Sequence, residues 1–193
     1  MLEIVLYGRG GQGVQLGGRI MALALFKGGY FVQSFASFGA EKRGAPVVSQ
    51  IRVDEKPIRL RSDITSPDLL GLFDCSLAAE GLSQYRLRDR GVIVANLTRA
   101  EAGLKTVSHT LITVDAVEAA RRFGLGRLIN SVMVGAVMGA LGLIDLPLLL
   151  EAVRELIPYK QKENAAACAE SFNRVRERAR SHSLPDGSKR GSR

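Results

Sequence analysis

Apolar and polar positions alternate between two periods along this chain. Residues 2–7 (Leu-Glu-Ile-Val-Leu-Tyr) are almost wholly apolar and predict a buried strand. Glycine-rich residues 8–13 follow, and then 14–27 place Leu16, Ile20, Leu23 and Ala24 on one helical face. Residues 30–35 read as a second β-like run and 36–46 as a charged loop ending in Pro46. Over 47–53, Val47, Ser49, Ile51 and Val53 alternate with Val48, Gln50 and Arg52, the period of a strand. Asp54-Glu55-Lys56-Pro57 marks a turn, with 58–61 expected as the returning strand of a hairpin. Further strands are expected at 69–73, 91–95 and 107–114, and helices at 76–88, 115–123, 131–143, 146–157 and 161–180, with Pro158 separating the last two. Strands that alternate with helices predict a three-layer α/β/α domain, and the 47–61 hairpin makes its sheet mixed, though mostly parallel. The glycine-rich loop after the first strand is Rossmann-like.

The run Val132–Ile144 is shorter than the ~20 residues that cross a bilayer. Its small residues Gly135, Ala136, Gly139 and Ala140 predict a buried helix packed closely on its neighbours. No membrane span and no basic leader region are expected, which points to the cytoplasm. Composition narrows the chemistry. The 193 residues include two cysteines, Cys75 and Cys168, far apart and in no CxxC, and two histidines, His109 and His182. A cluster or zinc centre within this chain is therefore not expected. The formal charge is +8, and seven Lys/Arg against two Asp/Glu between Arg174 and Arg193 account for +5 of it, leaving +3 for the rest. Residues 1–180 are expected to form one domain and 181–193 a basic, disordered tail.

Two segments carry candidate chemistry. Gly8-Arg9-Gly10-Gly11-Gln12-Gly13 lies between a strand and a helix, where glycine backbone can approach a phosphate and free N–H groups can hold it. A nicotinamide site needs an acidic residue at the end of the second strand, and 30–39 contains none; a P-loop needs Lys-Ser/Thr after Gly13, where Val14-Gln15 stands. Phosphate contact, a tight turn packed on another chain and dinucleotide binding all remain open on residue chemistry alone. In Ser37-Phe38-Gly39-Ala40-Glu41-Lys42-Arg43-Gly44-Ala45-Pro46, adjacent Lys42 and Arg43 form a cationic loop that suits either a phosphate clamp or a charged surface turn.

Taken in order, Gly8–Gly13, Phe38–Pro46, Pro57-Ile58 and Ser66-Pro67-Asp68 resemble the gamma subunit of the 2-oxoacid:ferredoxin oxidoreductases, typified by pyruvate:ferredoxin oxidoreductase. Asn130-Ser131, opening the Val132–Ile144 helix, fits the same pattern, and the resemblance spans about residues 1–157. It implies oxidative decarboxylation of a 2-oxoacid with coenzyme A, giving an acyl-CoA, CO2 and reduced acceptor. Thiamine diphosphate, Mg2+ and [4Fe-4S] clusters are implied for the alpha, beta and delta-type partner subunits, with ferredoxin as acceptor and no cofactor held by this chain alone. The resemblance makes Gly8, Arg9, Gly10, Gly11, Gln12, Gly13, Lys42, Arg43 and Asn130 the candidates for holding coenzyme A near the active site, with no catalytic residue and no metal ligand in the chain. Lys42 stands where many members carry Arg, which keeps the charge but not the bidentate fork. A free-standing NAD(P)-dependent enzyme and a basic module for nucleic acid are the alternatives. The first lacks the ribose acid and the second lacks aromatic platforms near its arginines.

Overall fold

The computed structural model describes residues 1–38, 46–97 and 109–181. Its elements are β1 (Leu2–Arg9), α1 (Val14–Lys27), β2 (Phe31–Phe38), β3 (Pro46–Asp54), β4 (Leu69–Leu72), a 3-10 turn (Cys75–Leu77) running into α2 (Ala78–Gln84), β5 (Val92–Asn96), β6 (Thr110–Val114), α3 (Ala116–Arg122), α4 (Asn130–Leu141), α5 (Leu146–Leu156) and α6 (Gln161–Ser181). Six strands lie in the order β2-β3-β1-β4-β5-β6. β1, β4, β5 and β6 run parallel, whereas β3 is antiparallel to both β1 and β2. The sheet is thus mixed and mostly parallel, in the α/β class expected.

The pleat of β1 divides the core. Ile4 and Leu6 face α1, α3, α4, α5 and α6, while Val5 and Tyr7 face the opposite side with Leu77, Ala78 and Tyr85 around α2. The inner strands β1, β4 and β5 bury apolar residues on both faces because helices or coil cover both. The side opposite α1 is covered by α2 and, over β3, by the irregular segment 55–68. There Arg52, only 1% exposed, pairs with Glu3 at 2.8 Å, and Glu3 also pairs with Arg88. A charge this deep is tolerated because the opposite charge and a ring, Phe35 at 5.6 Å, lie against it.

Helix α4 is buried around nearly its whole circumference, so its sequence shows apolar residues without a polar face. Its closeness to α6 depends on two glycines. A Cβ at Gly135 would strike the Cys168 carbonyl, and one at Gly139 would lie 2.5 Å from the Phe172 carbonyl. The packed pair seals Cys168, whose thiol is pushed up to about 12 by burial. Among the described residues, no helix is long and apolar enough to cross a membrane.

Three expectations change. Residues 58–61 form no strand: both edges of β3 are already taken by β1 and β2, and the Ile58 carbonyl instead accepts from the Gln33 side chain at 3.2 Å. The hairpin is β2–β3, and β2 extends to Phe38, into the expected loop. The helix expected over 76–88 ends at Gln84, because Arg86 and Arg88 give their N–H groups to the Thr65 and Pro67 carbonyls. Strand β6 begins at Thr110; residues 98–108, including the start expected at 107, lie outside the described residues, as does the tail from 182 onward.

Candidate functional site

The carboxyl ends of β1, β4, β5 and β6 share one edge of the sheet. From there the chain leaves β1 for α1 on one face and leaves β4 for α2 on the other. Ligand crevices in open α/β sheets form at such a divergence. Asn96, at the end of β5, ties this rim together: its amide donates to the Phe73 carbonyl and its side-chain oxygen accepts from Ala116 N–H, both at 3.0 Å.

Residues 8–13 form a tight turn between β1 and α1. The Arg9 N–H donates to Gln12 Oε1 at 2.8 Å, and the Gln12 N–H donates to the Arg9 carbonyl at 3.2 Å. Gly8 must be glycine for this fold-back, because a Cβ there would lie 2.8 Å from Gln12 Oε1, Phe73 and Val14. Gly11 and Gly13 hold φ of 93° and 77°, the left-handed region that favours glycine. Among the described residues, a Cβ on Gly10 or Gly11 would meet nothing within 4 Å.

Beyond the turn, two helices begin side by side. Gly13 caps α1 without a side-chain hydrogen bond, and α4 likewise starts after Ile129 with no side-chain cap. Neither first turn holds an acidic residue. The two starts touch, since a Cβ on Gly13 would lie 2.8 Å from Asn130 Cβ. Asn130 is 7% exposed, and Gln15 on the first turn of α1 has a buried Nε2 with no partner among the described residues. Uncapped N–H groups and the positive ends of two helix dipoles converge there, an arrangement that favours an anionic group.

The rim across from the turn is acidic. Asp74 follows β4 and Phe73; its Oδ2 accepts from Gln12 Nε2 at 3.0 Å and sits 3.3 Å from Arg9 Nε. Its Oδ1 accepts from the Ser76 N–H at 3.0 Å and the Ser76 hydroxyl at 2.6 Å. Burial alone would raise the Asp74 carboxyl, but the Ser76 hydroxyl and N–H, the Gln12 amide and Arg9 together hold it below the usual carboxylate range.

Residues 3–176 match the family described as pyruvate ferredoxin/flavodoxin oxidoreductase. The chain belongs to this family. It is 37% identical to the pyruvate/ketoisovalerate oxidoreductases common subunit gamma of Thermococcus kodakarensis, across 91% of this chain and 97% of that one. It is also 37% identical to the pyruvate synthase subunit PorC of Methanothermobacter thermautotrophicus, across 88% and 92%. In fold it resembles the crystal structure of pyruvate oxidoreductase subunit PORC from Thermotoga maritima, with a TM-score of 0.75, 22% identity and coverage of 89% and 95%. A 2-oxoglutarate:ferredoxin oxidoreductase from Magnetococcus marinus, solved with 2-oxoglutarate, coenzyme A and succinyl-CoA bound, aligns with a TM-score of 0.77 at 20% identity. That alignment takes in 96% of this chain and 32% of the larger one. The expected gamma-type subunit of an oxidoreductase complex is borne out.

For this oxidoreductase subunit, the structure brings Gly8–Gly13 and Asn130 together, although more than a hundred residues separate them. Lys42 and Arg43 lie outside the described residues. The Arg9 guanidinium, instead of standing alone at the tip, donates to Ser76 Oγ at 3.0 Å and pairs with Asp74. Asp74 and Ser76 were not among the sequence candidates. Their one sequence signal is position: an Asp directly after a short buried run, where the carboxyl end of a strand should lie.

Proposed function

We propose that this chain is the gamma component of a 2-oxoacid:acceptor oxidoreductase complex. The complex converts a 2-oxoacid and coenzyme A to an acyl-CoA and CO2, with two electrons passed to an acceptor such as ferredoxin. The chain's own task is to hold coenzyme A beside a catalytic centre built by alpha and beta subunits. The observation that carries this reading is the meeting of two uncapped helix starts at Gly13 and Asn130, beneath a glycine turn open at Gly10 and Gly11. Coenzyme A carries a pyrophosphate and a 3′-phosphate, which suit backbone N–H groups and helix N-termini. Lys42 and Arg43 would add charge-assisted bonds to the same groups.

Thiamine diphosphate with Mg2+, and [4Fe-4S] clusters, supply the decarboxylation and electron-transfer chemistry on the partner subunits. Among the described residues here, no group of three or more His, Cys, Asp or Glu could hold a metal. Dinucleotide binding at the glycine turn is disfavoured by topology. In a dinucleotide fold the strand after the first helix lies parallel beside the first strand, whereas here antiparallel β3 separates β2 from β1. Residues 1–180 would form the working domain and 181–193 an accessory basic tail; the family match ending at residue 176 supports that division.

The test is to purify the complex through a tag on this chain and assay acceptor reduction with coenzyme A varied. The expected result is co-purification of the catalytic and cluster-bearing subunits and a KM for coenzyme A raised about tenfold in Lys42→Ala/Arg43→Ala, the loss of one charge-assisted hydrogen bond or more. A lone chain that oxidises a 2-oxoacid unaided overturns the assignment, and an unchanged KM overturns the role of the cationic pair.

A further inference from the structure

The crevice between the ends of β1 and β4, where a ligand would be sought first, is bridged by the chain's own side chains. Gln12 spans it with both ends of its amide engaged: Oε1 on the Arg9 N–H at 2.8 Å and Nε2 on Asp74 Oδ2 at 3.0 Å. Arg9 crosses the same gap to Asp74 and Ser76 at 3.3 and 3.0 Å. Asp74 in turn is fixed by the Ser76 N–H and hydroxyl, at the start of the 3-10 turn. Three contacts thus join the glycine turn to a rim 62 or more residues later in the sequence.

We propose that Gln12 and Asp74 form a latch that positions the glycine turn for coenzyme A and that neither contacts the ligand. The inference rests on the coenzyme A reading of the site. With its side chain engaged on both sides, Gln12 draws residue 9 toward residue 12 and thrusts Gly10 and Gly11 outward, where no atom of the described residues would lie within 4 Å of an added Cβ. The ligand is thereby directed to the outer side of the turn and the start of α1, away from the bridged crevice. Gly8 serves the same end, since any side chain there would dislodge Gln12 Oε1. A turn of four glycines is otherwise conformationally costly to order, so the latch lowers the entropy lost when ligand binds. The residues of the latch are positioning residues, and Arg9 works with them rather than as a free phosphate clamp.

The amide–carboxylate pair offers a swap that tests this. In the intact complex, Asp74→Asn or Gln12→Glu alone should raise the KM for coenzyme A about tenfold, the scale of one charged hydrogen bond, and leave the KM for the 2-oxoacid unmoved. Gln12→Glu/Asp74→Asn exchanges donor and acceptor across the same gap, retains net charge and lets the new carboxylate accept from the Arg9 N–H. Its KM should return to within about threefold of the parent, a difference below ~0.7 kcal/mol. Should Asp74→Asn fail to assemble with its partners, Ser76→Ala removes the hydroxyl that steadies Asp74 and accepts from Arg9; about a threefold rise is expected, and no rise overturns the latch. Single variants that raise the KM without recovery in the double variant also overturn it. Gly10→Ala separates the latch from the site, because a methyl there would meet ligand but no atom of the described residues within 4 Å. If Gly10→Ala raises the KM while the latch variants leave it unchanged, the latch is wrong and the site stands. If all leave it unchanged, the coenzyme A reading falls and takes the latch with it.

Discussion

Glycine does opposite work at the two ends of helix-bearing architecture in this molecule. In the turn at residues 8–13, a Cβ on Gly10 or Gly11 would meet no other described residue within 4 Å, and the proposed ligand would take that space. In α4, Gly135 and Gly139 border the backbone carbonyls of Cys168 and Phe172, and their lack of a side chain lets two helices touch. The turn is held by polar contacts of Gln12, Asp74 and Arg9, whereas α4 is held mainly by dispersion and burial among apolar residues, with one buried hydrogen bond from the Ser131 hydroxyl to Asn164 of α6. Loss of a methyl-sized space should therefore be felt as stability in α4 and as ligand affinity in the turn.

The largest expected effect follows from α4. Gly139→Ala forces a methyl toward the Phe172 carbonyl and should cost about 1–3 kcal/mol, read as a lowered urea midpoint with unchanged slope. A midpoint equal to the parent's would mean that α4 and α6 separate freely, and the contrast with the turn would collapse. Gly13→Ala comes next, since Gly13 combines a φ of 77° with a near contact to Asn130. It should cost about 1–2 kcal/mol and also weaken coenzyme A, joining both behaviours in one position because it lies where the turn meets α4.

A smaller effect is electrostatic. The Asp74 carboxyl is held below its ordinary value in the folded chain, so its contribution to stability is fully present above the unfolded carboxylate value. It is lost as pH falls below about 4 and on through the folded value. The stability difference between the parent and Asp74→Asn should accordingly be constant from pH 5 to 7 and shrink as pH falls below about 4. A difference that grows under acid would place the carboxylate in an unfavourable setting and contradict the contacts described for it. The smallest effect belongs to the tail: deletion of Ser181–Arg193 should leave turnover within about threefold, and loss of assembly on deletion would make it a docking element.

The two glycine regions were not equally legible in the sequence. The strand, turn and helix of residues 2–27 are local, and the small residues of the α4 run already implied close packing; both emerge in the fold as expected. What escaped was non-local. Residues 58–61 looked like a hairpin strand because Asp54–Pro57 is a good turn, yet nothing in that stretch reveals that β1 and β2 already flank β3. The same holds for the site. Gly8–Gly13 and Asn130 carried recognisable patterns, whereas the partnership of Gln12 with Asp74 depends on the parallel register Tyr7 to Leu72, which only pairing of β1 with β4 creates.

The most direct test of the account is the affinity of the assembled complex for coenzyme A when Gly10 is replaced by alanine. The added methyl meets no atom of the described residues within 4 Å, and Gly10 is not among the residues with positive φ. Stability should remain within about 0.5 kcal/mol of the parent. If the turn cradles the phosphates of coenzyme A, the KM for coenzyme A should rise about tenfold or more, with the KM for the 2-oxoacid unchanged. A Gly10→Ala complex that binds coenzyme A as the parent does would contradict the central claim that this open turn is the chain's ligand-holding surface.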